Sequence, residues 1–207
     1  MNAFGCLLKV AGALCAAASL AGCATQSEEH FYMVSGPLSV PTSAGTPRVL
    51  VAPIAIPPVV DRPQLVVRAS KHELSVLENH RWAQPLAVDL THALVEELRR
   101  SPGGAQFAER DALRPRTTPL ILEVTIHELI AGPGPSASLQ ASWVLRDRQK
   151  TCAISGRFDT ELPVQSGYSA IPSAYALLMS RLAEAITEKI SHGESCADPA
   201  RANAGQY

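Results

Sequence analysis

Three segments in the second half of this chain carry an apolar side chain at every second position, and that alternation limits the possible folds more than any other feature. LILEVTIHEL has Leu120, Leu122, Val124 and Ile126 on one side and Glu123, Thr125 and His127 on the other. SLQASWVLR repeats the pattern with Leu139, Ala141, Trp143 and Leu145, and TCAISGRFDTEL continues it with Cys152, Ile154 and Phe158 on one side. A period of two sends alternate side chains to opposite faces of a strand, so these read as half-buried antiparallel strands, the first two joined by the flexible AGPGPSA. Two other segments repeat near every fourth residue. Trp82, Leu86, Leu90, Leu94 and Leu98 form one apolar stripe, with Asp89, Glu96, Glu97, Arg99 and Arg100 off it. Pro85 suits the first turn of such a helix, where a missing N–H costs nothing, and Ser101-Pro102-Gly103 stops it. Tyr175, Leu178, Leu182, Ile186 and Ile190 form the second stripe, in a helix expected to start near Pro172 and end at Gly193.

Shorter strands are expected upstream, at HFYMVS, at RVLVAPIAI with Pro53 marking an edge or a strand end, and at QLVVRAS and HELSVLE as a hairpin. A sheet with one apolar face and two helices with one apolar stripe each can bury those surfaces only against each other. The fold expected is therefore α/β, a single domain whose mixed or antiparallel sheet is packed on one face by two main helices.

The N-terminus constrains placement rather than fold. VAGALCAAASLAG is apolar but too short and Ala-rich to span a bilayer, and the only charge ahead of it is Lys9. Leu20-Ala21-Gly22-Cys23 resembles the lipobox of bacterial lipoproteins, whose cysteine thiol is acylated because no other side chain offers such a nucleophile at neutral pH. The alternative is an ordinary export signal beside a chance cysteine. On the lipobox reading, residues 1–22 are a lipoprotein signal peptide, 23–29 a lipidated tether, 30–192 the globular domain and 193–207 a flexible C-terminal tail. The lipid on Cys23 is then the anchor, and no cofactor is expected. Ala24 rather than Asp after the cysteine points to the outer membrane, by the sorting rule of bacterial lipoproteins. Cys6 and Cys15 leave with the signal, so Cys152 and Cys196 remain, either as a disulfide in an oxidising compartment or as two independent cysteines.

The formal net charge is −1, or −2 once Lys9 is removed, and no basic cluster tracks a phosphate backbone, which argues against nucleic acid. His72-Glu73 and His127-Glu128 are neighbours in sequence, so in strands each pair splits across the two faces. His92 and Glu96 lie one helical turn apart on a polar face. HExxH, CxxC, GxSxG and glycine-rich phosphate loops are all missing from the sequence. The expectation is no metal site and no enzyme.

From Val59 to Leu98 the chain holds two compact motifs, Asp61-Arg62-Pro63-Gln64 and Arg81-Trp82-Ala83-Gln84-Pro85-Leu86. This region resembles the signature of the PqiC family of auxiliary lipoproteins, and HFYMVS, ASWVLRD and the closing helix Tyr175 to Ile190 fall where that family has them. The resemblance implies a non-catalytic outer-membrane lipoprotein, facing the periplasm, that accompanies an MCE-type ABC transporter in moving lipids. It also implies an MCE-domain protein as partner and a homo-oligomeric ring. The motif residues have a structural reading too: Asp61, Arg62 and Pro63 set a turn, and Trp82 fills the core at the helix start. A functional alternative is a stand-alone envelope lipoprotein that holds a lipid or envelope polymer in an apolar pocket.

Overall fold

A computed structural model describes residues 28–36, 49–101, 107–110, 120–132, 136–147 and 153–192. The three alternating segments form the strands expected of them: β6 (Leu120–Ala131), β7 (Ser136–Arg146) and β8 (Ala153–Pro163), antiparallel, with Val124 opposite Trp143 and Trp143 opposite Gly156. β6 is the spine of an eight-stranded mixed sheet, because its other edge is shared by two groups of strands. At its start it pairs in parallel with β2 (Val49–Val51), which pairs in parallel with β5 (Phe107–Glu109). At its end, Ala131 meets Val67 of β3 (Gln64–Ser70), which runs antiparallel to β4 (Glu73–Trp82), which holds β1 (His30–Tyr32) in parallel at the sheet edge.

Pro53 ends β2 and does not mark an edge, for β2 lies between β5 and β6. The chain still follows β6 as far as Ala55, whose N–H donates to the Val124 carbonyl at 3.1 Å and whose carbonyl accepts from the Ile126 N–H at 2.8 Å. β5 was not legible in the sequence, since three residues are too few to show a period.

Two helices cover the sheet face that carries Leu122, Val124, Ile126, Leu139, Ala141, Trp143 and Leu145: α1 (Leu86–Arg100) and α2 (Ile171–His192), packed against each other. Both stripes face the core as the spacing predicts, with Ile190 at the end of the second only partly buried. Leu86, Leu90, Leu94 and Leu98 are shielded from solvent, as are Tyr175, Leu178, Leu182 and Ile186. Two details of α1 differ from the sequence reading. Trp82 continues the four-residue spacing but ends β4, because it pairs with Tyr32 and its N–H donates to the Pro63 carbonyl at 2.8 Å. Pro85 is accordingly the N-cap, and the helix begins at Leu86. Asp89, placed off the stripe by its charge, is completely buried.

Gly156 is required by packing. A Cβ there would sit 2.7 Å from the indole of Trp143, so the ring lies flush against the neighbouring strand only because no side chain intervenes.

Candidate functional site

The two sequence motifs, well separated along the chain, converge at one junction. Gln64 pairs with Arg81 across β3 and β4, and the Pro63 carbonyl takes the Trp82 N–H. The Arg62 N–H donates to the Val60 carbonyl at 2.9 Å and the Asp61 N–H to the Pro57 carbonyl at 3.2 Å, so this stretch is a hydrogen-bonded turn with exposed Asp61, Arg62 and Pro63 side chains. Gln64 Nε2 donates to Glu78 Oε2 at 3.1 Å, and Arg81 Nε donates to the Glu78 carbonyl at 3.1 Å. Trp82 is buried and stacks on Tyr175 of α2 with ring centroids 5.8 Å apart. Burial pushes the Tyr175 phenol well above its ordinary range, partly offset by a backbone hydrogen bond at Ala131. Pro85 supplies the carbonyl that accepts the Val88 and Asp89 N–H groups, and Leu86 enters the core. Gln64, Arg81, Trp82, Pro85 and Leu86 thus lie where β3, β4, α1 and α2 meet, while Asp61, Arg62 and Pro63 lie in the exposed turn that precedes β3.

The same junction contains a residue whose role was not read from the sequence. Asp89 accepts hydrogen bonds from the Val34 N–H at 2.6 Å, the Ser35 N–H at 3.0 Å, the Ser35 hydroxyl at 2.5 Å and Gln84 Nε2 at 2.9 Å. A buried carboxylate is tolerated when its lone pairs are filled, and here they are filled by the segment that follows β1. Asp89 thus latches the chain leaving β1 onto α1. An acid in the first turn of a helix was the only available sign. Thr91 does a similar task two residues on, accepting the Ile54 N–H at 3.0 Å while donating to the Ala87 carbonyl at 2.7 Å.

Along the outer edge of that junction runs an aromatic cluster. His30 stacks on its register partner His80 at 4.9 Å, Tyr32 lies 5.8 Å from His80, and Tyr168 meets His80 edge-on at 4.9 Å. The Tyr32 hydroxyl and His80 Nδ1 are 2.8 Å apart, a geometry in which neutral imidazole accepts the phenolic proton. Partial burial, with a smaller contribution from His30, holds His80 below its ordinary pKa, and partial burial raises that of Tyr32.

The opposite sheet face is open and polar, and on it the His–Glu expectation is corrected. β6 carries a bulge between Ile126, opposite Ala141, and Glu128, opposite Gln140, so one residue is inserted and the alternation changes phase. His127 and Glu128 then share the open face: His127 Nε2 lies 2.8 Å from the Ser142 hydroxyl, while Glu128 accepts from Ser138 at 2.8 Å and from Arg68 at 3.1 Å. With Lys71 and His72 of the β3–β4 turn and Glu73 at the start of β4 they line a cavity of about 280 Å³, together with Val60, Leu129 and Ile130. Both pairs therefore border one hollow. His92 reaches Glu109 at 3.3 Å, and Glu96 pairs with Arg99 at 2.9 Å. Among the described residues no three His, Cys, Asp or Glu side chains cluster as metal ligands, and no helix is long and apolar enough to cross a membrane. Cys23, Cys152 and Cys196 lie outside the described residues.

Comparison with known proteins adds to this geometry. A family model described as an ABC-type transport auxiliary lipoprotein component matches residues 34–187, a span that includes both motifs and most of α2. An uncharacterized protein of known crystal structure superposes with a TM-score of 0.66 at 18% identity, over 79% of this chain and 99% of its own. Protein XCC0632 from Xanthomonas campestris gives a TM-score of 0.55 at 18% identity, over 72% of this chain and 88% of its own. No curated protein matches the sequence. At such identities the solved structures speak for the fold alone.

Proposed function

The chain belongs to the family of ABC-type transport auxiliary lipoprotein components, and from that premise we propose that it is a non-catalytic, outer-membrane lipoprotein serving as the docking component of an MCE-type intermembrane lipid transporter. The family match over residues 34–187 carries this reading. The lipobox at Cys23 supports the anchor. A homo-oligomeric ring, facing the periplasm, belongs to the same proposal.

The alternative, a stand-alone lipoprotein with its own lipid pocket, needs an apolar cavity beyond what packing fills. The hollow on the open face, at about 280 Å³, is slightly below the range of about 300–1,000 Å³ usual for small-molecule sites, and its rim is charged. It does not favour that reading.

Two measurements test the proposal. Cys23→Ala is expected to abolish palmitate incorporation and to leave the signal uncleaved at Cys23; continued labelling overturns the lipobox. Cross-linking in intact cells, followed by purification of the acylated protein, is expected to recover an MCE-domain protein. Acylated protein recovered without one overturns the docking role.

A further inference from the structure

Among the described residues only two aromatic side chains rank with the exposed large apolar groups, Phe31 at 60% and Tyr168 at 38%, and both flank the β1 edge. Met33, 46% exposed, lies two residues beyond Phe31. Tyr168 reaches the same edge from the other side through its contact with His80, the register partner of His30. β1 is the outermost of the described strands, and among the described residues no further strand covers this end. Nor is the edge loose. The Tyr32 carbonyl accepts the Ala83 N–H at 2.8 Å, and Asp89 holds Val34 and Ser35 immediately beyond Met33.

The tether indicates what meets this edge. Four residues lie between Cys23 and Glu28, where the described chain begins, and the five steps from one to the other reach at most about 18 Å when fully extended. If Cys23 carries acyl chains, β1 is the first described element after the anchor and is kept close to the lipid surface. A bilayer interface suits these side chains, since its headgroup zone accepts amphipathic aromatics such as Tyr168 while Phe31 and Met33 reach the acyl boundary. Beside Phe31, in register with it, Arg81 offers a guanidinium at headgroup depth, 3.7 Å from Glu29. The short leash also keeps these groups at a high local concentration relative to the membrane, so even weak contacts stay populated.

We propose that the β1 edge, with Phe31 and Met33 at its tip and Tyr168 alongside, rests in the interface of the membrane that holds the anchor and fixes the orientation of the domain on it. This inference rests on acylation of Cys23. The edge is a lipid-contacting surface and leaves the helices and the open sheet face free for protein partners.

The test uses full-length acylated protein in vesicles of phosphatidylethanolamine and phosphatidylglycerol doped with acyl-brominated lipid, which quenches tryptophan only on contact. The native indoles of Trp82 and Trp143 are buried and give a steady background. Phe31→Trp and Met33→Trp are expected to lose most of their added emission in brominated vesicles, whereas Leu177→Trp, at an exposed position on α2, keeps its own. Palmitate labelling and vesicle flotation are scored on the same samples. Acylated, floated protein in which Phe31→Trp and Met33→Trp are quenched no more than Leu177→Trp overturns the membrane contact and leaves the anchor intact. Protein that takes up no palmitate and does not float overturns the anchor, and the contact with it.

Discussion

Asp89 shows how much one side chain can decide. Its carboxylate is wholly buried and serves four donors, so truncation leaves two backbone N–H groups, a hydroxyl and an amide without partners. Asp89→Ala is expected to cost about 3 kcal/mol or more, read as a lowered urea midpoint, because each orphaned buried donor costs roughly 1–3 kcal/mol. A variant as stable as wild type would show that the Val34–Ser35 segment is not held by this residue. His80 gives a second prediction at this scale. Partial burial, and His30 to a lesser degree, place its folded pKa below the ordinary value of about 6.5, so the unfolded chain takes up the proton first as pH falls. Stability from His80 is therefore full above that value and declines as pH drops through and below it. Between about pH 7.5 and 5, wild-type protein should lose more melting temperature than His80→Gln, which keeps an acceptor but does not titrate. Equal losses in the two proteins would remove His80 as a source of the acid sensitivity.

Among the elements, α1 and the β7–β8 pair are the most demanding. Leu94 sits wholly buried in the middle of the α1 stripe, so Leu94→Asp places a charge between helix and sheet at a cost of several kcal/mol, against a typical total of about 5–15. Unchanged melting of that variant would mean that α1 turns its stripe outward. Gly156→Ala asks for space already filled by the Trp143 indole, and overpacking of this kind costs about 1–3 kcal/mol. Near-ultraviolet circular dichroism should report the displaced indole, and an unaltered spectrum with unaltered stability would show that the strands absorb the methyl group. The bulge in β6 is a different kind of device. By inserting one residue it keeps Ile126 and Leu129 in the core while presenting both His127 and Glu128 to solvent, an arrangement that strict alternation forbids.

At the scale of the whole molecule, the proposed ring and a disulfide between Cys152 and Cys196 each make a measurable prediction. A closed ring requires two different patches on each subunit. Light scattering of residues 24–207 at micromolar concentration is expected to give a multiple of the protomer mass, and a strict monomer over that range would confine assembly to the membrane. Pairing of Cys152 with Cys196 closes a loop for which chain entropy gives roughly 4 kcal/mol as an upper figure. Thiol labelling of denatured, unreduced periplasmic protein should find neither free. Two labelled thiols would remove the pairing.

Period and composition determined the class of fold. The alternation in 120–145 and the stripes through Leu90 and Leu182 each define an apolar face, and burying those faces together leaves one arrangement of layers. The motifs at 61–64 and 81–86 were legible as a family signature, and with them the family itself. Tertiary structure alone decided where the shortest strands pair. β2, β5 and β1 are three residues long, too short for a period, and their places depend on distant partners along β6 and β4. It also decided the burial of Asp89, because charge predicts exposure until four donors from elsewhere in the chain converge on it. The joining of two His–Glu pairs around one hollow was hidden for the same reason. A bulge is a property of two strands in register, and neither strand carries that information by itself.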